Sequence, residues 1–163
     1  MRYKAHLTGA VAVLVGLGVA AVAFGSGDEL TQPQTLRILQ KGNTQQTFLP
    51  LNTTKNDAVG DEFVATGTVV RWEKTISGSN HRLGHLHAVC FAVDKQGQTA
   101  ECSTTTFLPG GEITSYGPIR FAAKARTTAA ITGGTGRYRN ARGQVTFVNT
   151  SPNTEGLIYE LEP

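Results

Sequence analysis

The sequence has little charge, little sulfur and no sustained helical patterning. Only 17% of its 163 residues are charged, against roughly 25% in an average soluble protein. The formal net charge is +3, and two of the positive charges are Arg2 and Lys4, at the extreme N-terminus. So weak a balance excludes the broad basic field by which proteins hold nucleic acid. The chain has only two cysteines, enough for one disulfide. Beyond residue 25 no stretch keeps an apolar 3.6-residue period for about 11 residues, which excludes a substantial helix. There is no Gly-x-Ser-x-Gly elbow for a serine nucleophile.

What the chain has in quantity is 19 Gly and 22 Thr, together with short β-forming runs. Thr35 to Gln40, Gln46 to Leu51, Glu62 to Trp72, Arg82 to Asp94, Gln98 to Leu108, Glu112 to Tyr116, Ile119 to Ala123, Thr127 to Thr132, Gly143 to Asn149 and Leu157 to Leu161 are rich in Val, Ile, Thr and Phe. Turn signals such as Lys41-Gly42-Asn43, Pro109-Gly110-Gly111, Gly133-Gly134 and Ser151-Pro152-Asn153 separate them. Many short, evenly spaced strands in a chain without a repeat predict one antiparallel barrel or sandwich.

The first residues carry a different signal. A basic start (Arg2, Lys4), an uncharged run from Leu7 to Phe24 and the small-x-small triplet Ala21-Val22-Ala23 match an export signal cleaved after residue 23. The same 18-residue run is just long enough to stay as a membrane anchor, and both outcomes put the domain outside the cytoplasm. The expected division is a signal peptide over 1–23, a flexible lead-in over 24–34 and the folded domain over 35–163, with no membrane contact once the signal is cleaved.

Outside the cytoplasm two cysteines can oxidise. Lys95-Gln96-Gly97 has the length of a three-residue hairpin loop, with Gly where a positive φ is wanted. If Asp94 faces Gln98, the same register sets Cys90 opposite Cys102, about 4.5 to 5.5 Å apart at Cα and within reach of a disulfide. The strand before that loop is apolar on both faces: Val89, Phe91 and Val93 on one, Leu86, Ala88, Cys90 and Ala92 on the other. A small barrel buries only its inner face, so this strand predicts a subunit contact, in a dimer or trimer, or cover by a terminal segment. His85 and His87 share the outer face, with His81 near in sequence. No acidic or thiol ligand stands beside them on that face, so they read as packed or interfacial and no metal site is assigned.

The segment Ile131-Thr132-Gly133-Gly134-Thr135-Gly136-Arg137-Tyr138 lacks the Lys-Ser/Thr end of a phosphate-binding loop and has no helix after it. It reads as a sharp bend whose glycines permit positive φ and close backbone approach. Arg137, Arg139 and Arg142 beside it form a solvated cluster by default. From Gly133 through Gly143, Gly-Gly-Thr-Gly-Arg-Tyr-Arg-Asn-Ala-Arg-Gly resembles the signature segment of plant dirigent proteins, and Ala130 to Gly134 resembles the matching segment of allene oxide cyclases. Val59-Gly60-Asp61, Leu83-Gly84 leading to Cys90, and Gly117-Pro118 recur in the cyclases in the same order.

This resemblance implies an eight-stranded antiparallel barrel, often trimeric, with a largely apolar cavity open at one end. It also implies the general task of holding a reactive small molecule in one shape while water is kept out. The cyclases' own catalytic residues do not carry over. On an ungapped placement from Gly60-Asp61, their Glu and Asn fall on Arg37 and Leu39, their Pro on Gln46, a water-holding Asn on Gly67 and their Tyr on Ile119, leaving Cys90 alone. Parity with Cys90 then sets Arg37, Leu39, Phe63, Ala65, Leu86, Ile119 and Phe121 inward, with Gly67 on the same face. The expected ligand is a small hydrophobic or aromatic molecule, oriented for stereoselective coupling or cyclisation in the dirigent manner, without a cofactor. The alternative is a binding or structural barrel with no chemistry. No catalytic residue is assigned, because Arg37 is the one ionisable group on that face.

Overall fold

Alternation of apolar and small residues with exposed ones carries the chain through eight strands. A computed structural model describes residues 30–50, 57–72, 82–151 and 154–163, with the backbone alone at 43–46. The export signal therefore lies outside the described residues, as does His81. The strands are β1 (Gln34–Leu49), β2 (Glu62–Arg71), β3 (Arg82–Ala92), β4 (Thr99–Leu108), β5 (Gly111–Arg120), β6 (Arg126–Gly134), β7 (Arg142–Ser151) and β8 (Thr154–Glu162). Each pairs antiparallel with its neighbours in sequence, and β1 pairs with β8 to close the barrel. Closure removes the free sheet edges except where the short β5–β6 ladder ends.

Ten expected runs become eight strands for two reasons. Lys41-Gly42-Asn43 is not a turn: β1 runs through it, with register shifts at Lys41/Asn43 and Asn43/Gln45 and Gly42 at φ 66°. Gly117-Pro118 does not end a strand either. The β5–β6 ladder stops at Tyr116↔Ala130, so Pro118 sits where β5 has β4 as its one ladder partner, opposite Glu101. There its missing N–H is tolerated.

The β3–β4 hairpin has the expected register, with Cys90 opposite Cys102 and Ala92 opposite Ala100. Asp94 organises the turn: its carboxylate accepts the N–H groups of Gln96 and Gln98, and Gly97 takes φ 65°. These hydrogen bonds favour the ionised form and hold the exposed Asp94 carboxyl below its usual range.

One end of the barrel is closed. The glycine-rich segment after β6 turns through a short 3₁₀ helix (Gly136–Tyr138) that buries Tyr138 and is followed by the buried Ala141. It is laced to the β4–β5 turn by Thr135 N–H to Glu112 O and Arg137 N–H to Gly110 O. A side chain at Gly136 would run into the Gly110 carbonyl, so the segment's glycines serve close backbone approach. Leu30 adds to the seal, buried with its N–H on the Arg137 carbonyl. The arginines of this segment thus stand at the closed end, where Arg142 Nη1 donates to Ala141 O.

Candidate functional site: the half of the barrel away from the closed end

Strand alternation decides which side chains enter the barrel, and burial shows the choice. On β2 to β5 the inward residues include Ala65, Val69, Leu86, Ala88, Cys90, Cys102, Thr104, Thr106, Ile113, Ser115 and Ile119. Toward the closed end the inward set is large and apolar: Ile38, Val69, Leu108, Ile113, Ile131, Val145 and Leu161. Toward the other end it mixes small or polar residues, Ala65, Ala88, Ala92, Ala100, Ala129, Thr104 and Ser115, with the larger Ile119, Phe147 and Leu157. The Cys90–Cys102 disulfide closes one side of that half, with Cα atoms 4.1 Å apart and both residues buried.

A polar network crosses this interior. Tyr159 on β8 and Thr106 on β4 stand on opposite walls, yet their hydroxyls meet at 2.6 Å and both residues are fully buried. Thr104 and Ser115 share a bond of 2.5 Å between adjacent strands. Gln40, buried on β1, lies over Gly67, where any side chain would collide with its amide end. Directly opposite Gln40 is Glu155 on β8, which alternates with the inward Leu157 and Tyr159. Burial pushes the Glu155 carboxyl up to about 7. Tyr159 is raised well above its ordinary value, first by burial and further by the Glu155 charge.

The rim is aromatic. Phe63, half-buried at the start of β2, meets Phe121 edge to face with ring centroids 5.2 Å apart. Phe121 is 43% exposed and lies just past β5. The Asn149 amide donates to the carbonyls of Arg120 and Ala122, and the Asn149 N–H to Ala125 O, which holds the Phe121 turn against β7. Asp61 is buried at the same rim.

Of the residues expected inward, Ala65, Gly67, Leu86 and Ile119 are buried and Phe63 packs against the core; Phe121 is at the rim. Arg37 and Leu39 require correction. The inward residues of β1 are Leu36, Ile38 and Gln40, so Arg37 is exposed and Leu39 stands on the outer face beside it. The ungapped placement crossed the shifts in β1, and a slip of one residue turns every side chain to the other face. The ionisable group opposite the buried Gln40 is the half-buried Glu155, hidden in the sequence because Ser151-Pro152-Asn153 looks like a turn with no strand before Leu157. Stepping back by twos from Leu161, Tyr159 and Leu157 would have found it.

His85 and His87 are on the outer face, His85 stacked on Phe107 at 4.2 Å and 13°. With them stand the exposed Val89, Phe91 and Val93, and Tyr116 on the outer face of β5.

Comparison with known proteins agrees with this geometry. A model of the family described as allene oxide cyclase barrel like domain matches residues 44–158. No curated protein sequence matches. Among solved structures, a pyocyanin demethylase is 26% identical at a TM-score of 0.61, covering 79% of this chain and 100% of that one. A pterocarpan synthase dirigent protein, PsPTS1, is 15% identical at 0.60, covering 80% and 94%. AbnU, an exo-specific intermolecular Diels-Alderase, is 14% identical at 0.59, covering 79% and 97%. The last two share the fold.

Proposed function

The chain belongs to the allene oxide cyclase barrel like family, and on that premise we propose that it binds a small, mostly apolar or aromatic molecule in the open half of its barrel and orients it for a cyclisation, coupling or isomerisation. The observation that carries this reading is the appearance of small and polar side chains on the inward face away from the closed end, among the larger Ile119, Phe147 and Leu157. An eight-stranded barrel is just wide enough for side chains to fill. Small residues around much of one half leave room for a guest, and burial of its apolar surface at roughly 25 cal/mol per Å² supplies most of the affinity.

Glu155 enlarges the chemical options. A carboxyl with a pKa of about 7 holds and releases a proton near neutrality, the condition for general acid–base work. This replaces the expectation of an interior without a proton-moving group. The similarity to a pyocyanin demethylase supports a small-molecule guest. The barrel's wall would contribute orientation and exclusion of water, and Glu155 the proton. The disulfide supports export through the 1–23 signal, with 24–34 as lead-in and 35–163 as the barrel domain. The exposed Val89, Phe91, Val93 and Tyr116 support a homodimer or trimer through the outer face of β3 and β5.

The test is uptake of an environment-sensitive apolar dye. Ala65→Trp adds bulk to this half and Gly67→Phe displaces the Gln40 side chain that lies over it; in variants that melt cooperatively, each should lower dye affinity at least tenfold. Undiminished uptake by both folded variants sinks the enclosed-guest reading. If both block uptake and Glu155→Gln leaves conversion of a co-purified guest unchanged, the barrel is a binding module without proton chemistry.

A further inference from the structure

We propose that the rim of the barrel opposite its capped end docks on an anionic lipid surface, with Phe48, Leu49, Val59 and Phe121 entering the lipid interface and Arg120, Lys124 and Arg126 meeting its phosphates. The large hydrophobic side chains exposed among the described residues fall into two sets. Val89, Phe91, Val93 and Tyr116 belong to the outer wall already described. The other four stand at the rim. Phe48 and Leu49 end β1, opposite Phe63 and Glu62; Val59 lies in the turn tied to the end of β3 by the Gly60 N–H on Ala92 O; Phe121 follows β5. Phe48 is 59% exposed, Leu49 and Val59 47%, and Phe121 43%. A whole phenylalanine side chain covers about 150–250 Å², so these half-exposed groups together offer on the order of 400 Å². A stable protein interface takes about 800 Å² from each partner. Apolar tips spread over three separate chain segments suit instead a fluid interface that closes around each one.

Charge decides which surface. Between Glu112 and Glu155 the chain has no acidic residue, yet it carries Arg120, Lys124, Arg126, Arg137, Arg139 and Arg142. The last three stand at the capped end. Arg120, Lys124 and Arg126 bracket Phe121 at the rim, each of them exposed, and Lys95 on the β3–β4 loop is exposed as well. The rim's acids gather on the β2–β3 side, where most are engaged: Asp57 accepts the Val59 N–H, Asp94 accepts those of Gln96 and Gln98, and Asp61 is buried. Glu62 opens β2, and Glu101 faces Pro118 across the β4–β5 ladder. The rim is therefore cationic on the side of the exposed Phe121. Long Arg and Lys stems carry their charges to headgroup phosphates while apolar tips sit below them. An uncharged surface gains from the tips alone; an anionic one gains about fivefold more for each cation brought near it. In place of the expected absence of membrane contact after cleavage, the mature domain keeps a contact that the 1–23 signal does not supply. It does not depend on a guest inside the barrel.

The experiment is flotation of the exported protein, purified from the culture medium, with vesicles of phosphatidylcholine alone or mixed with phosphatidylglycerol. The mixed vesicles should bind at least tenfold more tightly at low ionic strength, and high salt should erase most of that difference. Arg120→Gln with Lys124→Gln and Arg126→Gln should bring binding of the mixed vesicles down to the level of phosphatidylcholine. Phe48→Ser with Phe121→Ser should lower binding to both by about tenfold. All five positions are exposed, and cooperative melting checks that each variant is folded. Insertion is read separately: Phe121→Trp should add fluorescence that bromine-labelled lipid quenches, whereas Val89→Trp on the outer wall should add fluorescence that it does not. Equal binding to the two kinds of vesicle, binding to neither, or a triple glutamine variant that binds as wild type does overturns the proposal. So does quenching at Val89→Trp in place of Phe121→Trp, which would move the contact to the outer wall. If the serine variant loses self-association in sedimentation while its vesicle binding stays, the rim is a contact between copies and the lipid assignment falls.

Discussion

On β4 the inward residues are Ala100, Cys102 and Thr104 toward the open end and Thr106 and Leu108 toward the closed one; on β8 they run from Glu155 to Leu157, Tyr159 and Leu161. The two ends of a single strand are thus filled by different rules. The closed half is packed as protein interiors are, with branched apolar side chains under a cap of Tyr138, Ala141 and Leu30. In the other half a covalent bridge, hydroxyl pairs and the half-buried acid Glu155 stand among small side chains and the larger Ile119, Phe147 and Leu157.

Truncation should separate them most sharply. Ile113→Ala, at a closed-half position 1% exposed, should cost about 2–5 kcal/mol in chemical denaturation, because a wall packed on all sides cannot collapse onto the void. Its dye affinity, measured on folded protein, should stay at the wild-type value. Ala129→Gly in the other half should cost about 1 kcal/mol or less. Equal losses at the two positions would erase the distinction.

The disulfide comes next. Where side chains are too small to pack, the Cys90–Cys102 bridge, 12 residues apart in sequence, restricts the unfolded chain instead. Replacing both cysteines by alanine should cost about 3 kcal/mol. Wild type unfolded in a thiol reductant should fall onto the variant's denaturation curve. A difference between the two curves would show that the bridge is not what the reductant acts on.

Much of the fold was legible because its determinants are local. A three-residue loop with Gly97 at its end fixed the β3–β4 register, and with it Cys90 against Cys102; alternation along β3 separated His85 and His87 from Leu86 and Ala88. The misplaced parts depend on distant partners. The bulges that shift β1, turning Arg37 and Leu39 outward, arise from its fit to β2. The continuity of β5 through Pro118 depends on where β6 leaves the ladder. Glu155 was hidden because nothing in Thr154-Glu155-Gly156 marks a strand until Gln40 lies opposite.

Glu155 also makes the open half sensitive to pH. Its carboxyl has an ordinary value of 4.5 and titrates at about 7 in the folded protein, so the native state holds this proton more tightly than the unfolded chain does. Its contribution to stability is fully present below pH 4.5 and is lost as pH rises through about 7. At 1.36 kcal/mol per unit, the loss over these roughly 2.5 units is about 3 kcal/mol. Glu155→Gln should remove this slope and make the protein more stable than wild type at pH 8. Parallel stability curves for the two proteins between pH 5 and 8 would show that the carboxyl is solvated. Any proton-dependent conversion of a guest should follow the same titration and vanish in the glutamine variant.

The smallest effects belong to the outer wall. His85 lies flat on Phe107 with centroids 4.2 Å apart, and His87 tilts against the same ring at 5.0 Å. Removing a stacked ring forfeits about 0.5–1.5 kcal/mol, so His85→Ala should lower stability by about that much. His87, exposed and less well aligned, should change it by about 0.5 kcal/mol or less. Neither should alter dye uptake, since each points away from the interior that Leu86 and Ala88 enter from the same strand. The outer face is where a second copy would sit, so sedimentation of the two variants should show weaker self-association at equal monomer stability. Should either histidine variant lose dye while Ala65→Trp keeps it, the guest would be held on the outer wall, and the division between a packed half and a receiving half would describe size alone.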